Sequence, residues 1–230
     1  MKLIFDIGCN RGVFSQIAKA KYKNVKIIAI DANKDFEHDF IHDDNISFIN
    51  CAISDKRDIE LEFHIDERST GISTASDWWR EHSRFAKGNQ YLQKNNGSWN
   101  KIIKIRTKTI DDLIEEYGIP NLIKIDLEGY EYEAVKGLST KTPKLCFEFA
   151  EEAKEITMKC LDRLQTIGYT KFGMIGYFHE NVDDFATFEE YGDAHMIEPD
   201  RYFDYDTFID YLNQFCNEER AINWGMVWAK

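Results

Sequence analysis

The sequence predicts an α/β protein: a mostly parallel sheet with helices on both faces. Short apolar runs such as residues 26–31 (KIIAID) and 122–127 (LIKIDL) are continuous rather than alternating, the pattern of strands buried on both sides. Segments with helical spacing lie between such runs, so strands and helices alternate along the chain. The chain has 230 residues, 43% hydrophobic and 14% aromatic, which is enough to bury a real core and excludes a disordered chain. With no Pro- or Gly-rich linker and no internal repeat, residues 1–230 read as one domain.

Taken in order, residues 2–8 form a short strand ending in Asp6-Ile7-Gly8. Residues 13–22 are helical, with Val13, Phe14, Ile17 and Ala18 on one face. The strand at 26–31 is followed by a short helix at 33–42 and a strand at 46–53 (ISFINCAI). A strand at 102–109 leads into a helix at 110–117, which Gly118 and Pro120 terminate. The strand at 122–127, a helix at 131–137, a strand at 144–150 and a helix at 154–167 follow, the last stopped by Gly168. Two aromatic strands, 169–178 and 222–229, close the chain.

Two stretches interrupt this rhythm. Residues 66–100 contain Ser69-Thr70-Gly71, the pair Trp78-Trp79 and Asn95-Asn96-Gly97, around a short helix at 76–86 capped by Ser76 or Thr74. Residues 179–204 are acidic and turn-rich and precede a helix at 205–215. Loops this long inside a compact domain usually serve function or are disordered. We expect residues 66–100 and 179–217 to form the substrate side.

Charge narrows the partners. Lysine and arginine total 29 against 41 aspartates and glutamates, a net charge of −12. That balance argues against nucleic acid or an anionic membrane surface, both of which require clustered cations. No apolar run approaches a membrane span, and the chain enters its first strand at once, leaving no room for a signal peptide. Five scattered cysteines without a C-x-x-C pair suggest neither disulfide framework nor zinc site. The expected setting is the reducing cytoplasm.

The strongest local signal is Asp6-Ile-Gly8-Cys-Asn10-Arg-Gly12 at the first strand-to-helix junction. A cofactor that packs against backbone there requires positions without Cβ, hence the glycines. The spacing is not the G-x-G-x-x-G of a pyrophosphate site. Asp31 ends the second strand, where a carboxylate can accept both hydroxyls of a ribose. Together these favour an adenosyl cofactor without a diphosphate, and S-adenosylmethionine fits because its ammonium and sulfonium are cationic. Asp6 either faces that cationic end or caps the next helix. The second signal is Lys124-Ile-Asp126-Leu-Glu128-Gly129-Tyr-Glu131, at the carboxyl end of another buried strand, where α/β sheets bind ligands. Asp126 and Glu128 then either point at the cofactor or cap the helix that begins near Tyr130.

These two blocks, with I-D-A-N after the second strand and the trailing V-K-G, resemble FkbM-type methyltransferases over roughly residues 3 to 170. The resemblance implies a Rossmann-like class I methyltransferase fold, with a single seven-stranded, mostly parallel sheet whose last strand is antiparallel. It implies cofactor contacts from Asp6, Gly8, Asn10, Gly12 and Asp31, and a functional site at Asp126, Glu128 and Gly129. Glu148 matches an acidic residue on the next strand. It further implies transfer of a methyl group from S-adenosylmethionine to a hydroxyl of a sugar or small natural product. The N-terminal extension of many relatives is missing, and residues 66–100 and 179–204 match no family pattern.

A neutral alcohol must lose its proton as it attacks. Asp126 is the first candidate for the base or acceptor-positioning group, followed by Glu128 and Glu148. A divalent metal held by these carboxylates is an alternative route, and no metal ligand is assigned. His64 and His179 are further candidate bases. His38 and His42 share an i, i+4 face that reads as solvated, and the acidic pairs Asp183-Asp184 and Glu189-Glu190 read likewise. Trp78 and Trp79, adjacent on a helix, cannot both face one side; one packs inward. Cys9 lacks a basic neighbour in the sequence and reads as a small buried residue. Two other functions compete: a nicotinamide-dependent oxidoreductase, disfavoured by the missing third glycine, and a non-catalytic cofactor-binding scaffold, disfavoured by Asp31, Asp126 and Glu128.

Overall fold

The computed structural model describes residues 1–86, 97–178, 198–216 and 223–230. Its main sheet has seven strands: β1 (Lys2–Ile7), β2 (Val25–Asp31), β3 (Ile46–Asn50), β7 (Leu122–Ile125), β8 (Leu145–Ala150), β9 (Phe172–Phe178) and β10 (Asn223–Ala229). Their order in space is β3-β2-β1-β7-β8-β10-β9. β10 runs antiparallel to both neighbours, and the β1–β2, β2–β3, β1–β7 and β7–β8 pairs are parallel. Numbered within this sheet, the order is 3-2-1-4-5-7-6 with strand 7 reversed, the class I methyltransferase topology. The chain works outward from β1 to β3 and then returns to the other side of β1. That reversal opens a crevice beyond the carboxyl ends of β1 and β7.

Alternate side chains of the strands feed two cores. Phe5, Ile7, Ile123, Ile125, Phe147 and Phe149 face α3 (Ile110–Tyr117), α4 (Glu131–Lys136) and α5 (Lys154–Thr166). Ile4, Ile27, Ala29, Leu122 and Cys146 face α1 (Val13–Lys21) with its Phe14 and Ala18. Both faces of the central strands are therefore dry, which is why their sequences lack alternation. The period of two also places Asp6, Lys124 and Glu148 on the α1 face, in step with Ile4, Leu122 and Cys146. At the far edge, α6 (Tyr205–Cys216) buries Phe208, Leu212 and Phe215, with Phe208 stacked on Phe172 and Phe215 edge-on to Phe149.

Three features depart from the sequence-based expectation. Residues 46–53 are not one strand: β3 ends at Asn50 and β4 (Ala52–Ile53) leaves the main sheet after Cys51. β4 joins β5 (Glu60–Ile65) and β6 (Lys101–Lys108) in a separate three-stranded sheet, parallel to β6, while β5 and β6 pair antiparallel. Residues 33–42 form no α-helix but a 3-10 helix at Lys34–Asp39, because the Asn33 side chain accepts the Asp35 N–H at 3.1 Å and starts a tight turn. His38 and His42 consequently do not share an α-helical face; both are exposed.

Other elements fall where local chemistry directs them. Thr109 and Asp112 form a reciprocal capping box on α3, and Gly118 ends it at positive φ. The short α2 (Asp77–His82) is capped by the Ser76 hydroxyl. No helix among the described residues is long and apolar enough to cross a membrane.

The core assignment is open to test. Phe147→Ala, at a fully buried position, is expected to cost about 3–5 kcal/mol in urea unfolding. Ile102→Ala, at a side chain left 58% exposed, should stay within about 0.5 kcal/mol of wild type. Equal effects would contradict the assigned core.

Candidate functional site

Two strand-to-helix junctions meet in the crevice. The first is the turn from Gly8 to Gly12. Gly8 and Cys9 donate their N–H groups to the Ile30 carbonyl, and Gly12 donates to the Cys9 carbonyl. Asn10 takes a left-handed φ of 46° and directs its N–H to Asp31 Oδ2 at 2.8 Å. Asp31 Oδ1 accepts the Asn33 N–H at the same distance. Each of these oxygens keeps a further lone pair, so the carboxylate can still accept hydroxyls. Burial pushes the Asp31 pKa up to about 6, against the two amide bonds that favour its charge.

The turn glycines also meet a constraint from within the fold. A Cβ on Gly8, at φ +73°, would lie 1.8 Å from the Asp126 carbonyl oxygen, and one on Gly12 would strike the Phe40 ring at 2.4 Å. The protein's own close approaches therefore already require glycine at both positions.

The second junction runs from Asp126 to Tyr130. The Asp126 N–H bonds the Ile7 carbonyl, and Glu128 and Gly129 both take positive φ. At the start of α4, Tyr130 makes no side-chain cap. Glu131 instead bonds the loop amides, with Oε1 accepting from Leu127 at 2.9 Å and Gly129 at 3.2 Å. Burial raises the Glu131 pKa to about 7.

This loop brings Asp126 and Glu128 to Glu148 of β8, with one carboxylate oxygen of each within 4.8 Å of the others. Burial, then Glu128 and Asp126, push the Glu148 pKa well above the carboxylate range. Burial, then Asp126 and Glu131, do the same for Glu128, whose buried Oε2 has no hydrogen-bond partner. Such a cluster can hold a proton or share a divalent cation. An ammonium, Lys124 Nζ, also stands 3.3 Å from Asp126 Oδ2.

Asp6 lies beneath the turn with no accessible surface. Its Oδ2 accepts the Ser15 hydroxyl at 2.6 Å, in the first turn of α1. It therefore anchors that helix through a side chain and caps no backbone N–H.

The 66–100 segment is joined to both junctions. The Thr70 hydroxyl bonds Asn10 Oδ1 at 3.4 Å, and the Thr74 hydroxyl bonds the Glu128 carbonyl at 2.8 Å. Trp79 is the inward member of the tryptophan pair and lies against Gly129. Trp78 is exposed and stacks on His82. Buried Arg84 meets Glu152 through its backbone N–H and two guanidinium nitrogens. His64 is buried on β5 and paired through its backbone to Thr74; burial lowers its imidazole pKa. His179, His195, Asp183, Asp184, Glu189 and Glu190 lie outside the described residues. Sequence reasoning missed Lys124, Glu131 and the Arg84–Glu152 pair. Lys124 did carry a signal, a lysine within a strand otherwise buried and apolar.

The strand order is that of class I methyltransferases. The methyltransferase FkbM domain matches residues 6–192, and the chain belongs to that family. A search of curated proteins found no match. Among solved structures, the chain is similar to a precorrin-6y C5,15-methyltransferase from Geobacter metallireducens GS-15, at 10% identity and TM-score 0.44, over 100% of this chain and 79% of that one. A methyltransferase from Archaeoglobus fulgidus is also similar, at 10% identity and TM-score 0.41 over 100% and 86% of the two chains. So is the plantazolicin methyltransferase BamL, at 10% and 0.40 over 99% and 76%.

Asp31 offers a direct check. Its folded pKa of about 6 lies above the unfolded value near 3.9, so the fold favours its neutral form. The contribution is fully present below about pH 4 and is lost as pH rises through about 6. Asp31→Asn should therefore gain stability relative to wild type between those limits, by at most about 1.4 kcal/mol per pH unit, and stay level above. Urea unfolding across pH measures this; parallel curves for the two proteins would contradict it.

Proposed function

We propose that this FkbM-family methyltransferase methylates a hydroxyl of a sugar or small natural product, with Asp126 as the base. The observation that carries the reading is the gathering of Asp126, Glu128 and Glu148 at the mouth of the β1–β7 crevice, beside the turn that Asp31 fixes. The bound donor supplies a methyl carbon on a sulfonium, open to in-line displacement.

The chain's own residues do the rest. Asp31, Asn10 and the backbone from Gly8 to Gly12 would hold the donor, while Asp6 supports that turn from below. These groups fit a cationic adenosyl ligand, since Asp31 keeps lone pairs for ribose hydroxyls and no cationic side chain is needed for a diphosphate. Asp126 retains 21% side-chain exposure and is the member of the trio beside an ammonium, so it is the one favoured as a carboxylate. It would take the acceptor proton as the new O–C bond forms and the S–C bond breaks. Such a base contributes about 10²–10⁴-fold, and alignment about 7–11 kcal/mol. Glu128 Oε2, unpartnered, is suited to a second acceptor hydroxyl. The 66–100 and 179–217 segments would shape the acceptor side, the former through Thr70, Thr74 and Trp79.

Calorimetric titration with S-adenosylmethionine and, in parallel, NADH tests the donor. Micromolar binding of the former, lost in Asp31→Ala, is expected. Binding of NADH in its place would convert the assignment to an oxidoreductase. With an acceptor found by screening hydroxylated compounds, Asp126→Asn should lower kcat by about 10²–10⁴ with donor affinity little changed. An undiminished kcat would remove Asp126 as base.

A further inference from the structure

Lys124 is a charge in the middle of the sheet, flanked by buried Leu122, Ile123 and Ile125. In register it stands between Asp6 of β1 and Cys146 of β8, and its side chain is 4% exposed. An ammonium carries three N–H groups, and three acceptors surround Nζ. They are the Gly8 carbonyl, which accepts a hydrogen bond at 2.8 Å, and two ion-pair partners, Asp126 Oδ2 at 3.3 Å and Asp6 Oδ1 at 3.4 Å. The first belongs to the glycine turn, the second to the carboxylate cluster, and the third to the carboxylate that anchors α1.

Stability alone is a poor reason for this arrangement. Burying an ammonium costs several kcal/mol, and well-packed apolar residues commonly replace buried ion pairs without loss. What an apolar side chain cannot do is join these three groups. The other groups facing Asp126 are Glu128, Glu148 and Glu131, all acids, and each disfavours its charge.

We propose that Lys124 is a positioning residue for methyl transfer, holding the glycine turn and Asp126 at one separation and keeping Asp126 a carboxylate. Its catalytic consequence rests on Asp126 being the base; the link between the two junctions does not. The ammonium's hydrogen bond to the Gly8 carbonyl is charge-assisted and directional, and its ion pair with Asp126 ties the second junction to the first. Loss of the ammonium therefore acts on both partners together.

The test is Lys124→Met, which keeps the apolar stem and removes the charge. That change leaves Asp6 buried without its counter-charge, so Asp6→Asn/Lys124→Met is made alongside, with Asp6→Asn as its reference. Proteins carrying ¹³C at aspartate carboxyls report Asp126 directly, its resonance identified by its loss in Asp126→Asn. Near neutral pH the resonance should move from the carboxylate position toward the protonated one in the folded double variant, but not in Asp6→Asn. Affinity for S-adenosylmethionine should also fall, about tenfold against that reference. An unmoved resonance overturns the proposal, whether affinity changes or not, because Lys124 would then be filler or act on the turn alone. If no form binds the donor, the donor assignment fails, while the resonance still decides the role of Lys124.

Discussion

The structure depends on one close approach: the backbone of Gly8 against the carbonyl of Asp126. There the exits of β1 and β7 touch, with room for a hydrogen atom and nothing larger. Everything chemical in the molecule is arranged around that contact. The Asp126 N–H bonds Ile7, the Lys124 ammonium bonds the Gly8 carbonyl, and Asp31 reaches the same turn through Asn10. A parallel sheet separates neighbouring strands by about 4.8 Å, and this contact continues that spacing past the last ladder bond. The glycine turn and the acidic cluster thus meet as two parts of one edge.

Electrostatics then divides labour among carboxylates of similar sequence appearance. Asp6, Asp31, Asp126, Glu128, Glu131 and Glu148 lie on or beside the same edge, yet their partners differ. Asp31 and Glu131 are occupied by backbone amides, which hold loops in place. Asp6 is sealed under the turn by Ser15 and Lys124. Asp126, Glu128 and Glu148 stay together, which with burial raises the cost of charge on Glu128 and Glu148. An edge of this kind supports proton transfer because its members are set apart by environment rather than by residue type.

Much of this was legible in the sequence, for stated physical reasons. KIIAID and LIKIDL were readable as strands because both faces are buried, and α3 because Thr109 and Gly118 bound it. The pairing of one tryptophan inward and one outward followed from helix geometry. The three acidic candidates Asp126, Glu128 and Glu148 were identified and do meet. What could not be read depends on partners distant in sequence. The break at Cys51 reflects a second sheet whose strands β4, β5 and β6 come from separated segments. Arg84 and Glu152, 68 positions apart, carry no local signature. The glycines were recognised, but the steric need for them was not, since only coordinates reveal Phe40 and the Asp126 carbonyl behind them. Glu131 was passed over because a carboxylate three residues into a junction looks like any solvated first-turn acid.

The small sheet has a consequence for how such a protein can diversify. Residues 66–100 leave from β5 and return into β6, whose registered pairing puts Ile65 opposite Lys101. The two ends are therefore fixed side by side, whatever lies between them. Closing a longer loop across fixed ends costs little, growing only with the logarithm of its length. The segment can lengthen, shorten or change its side chains while the main sheet keeps its register. The hairpin works as a socket: the chemistry is wired into the edge of the large sheet, and the part that meets the outside world plugs in beside it.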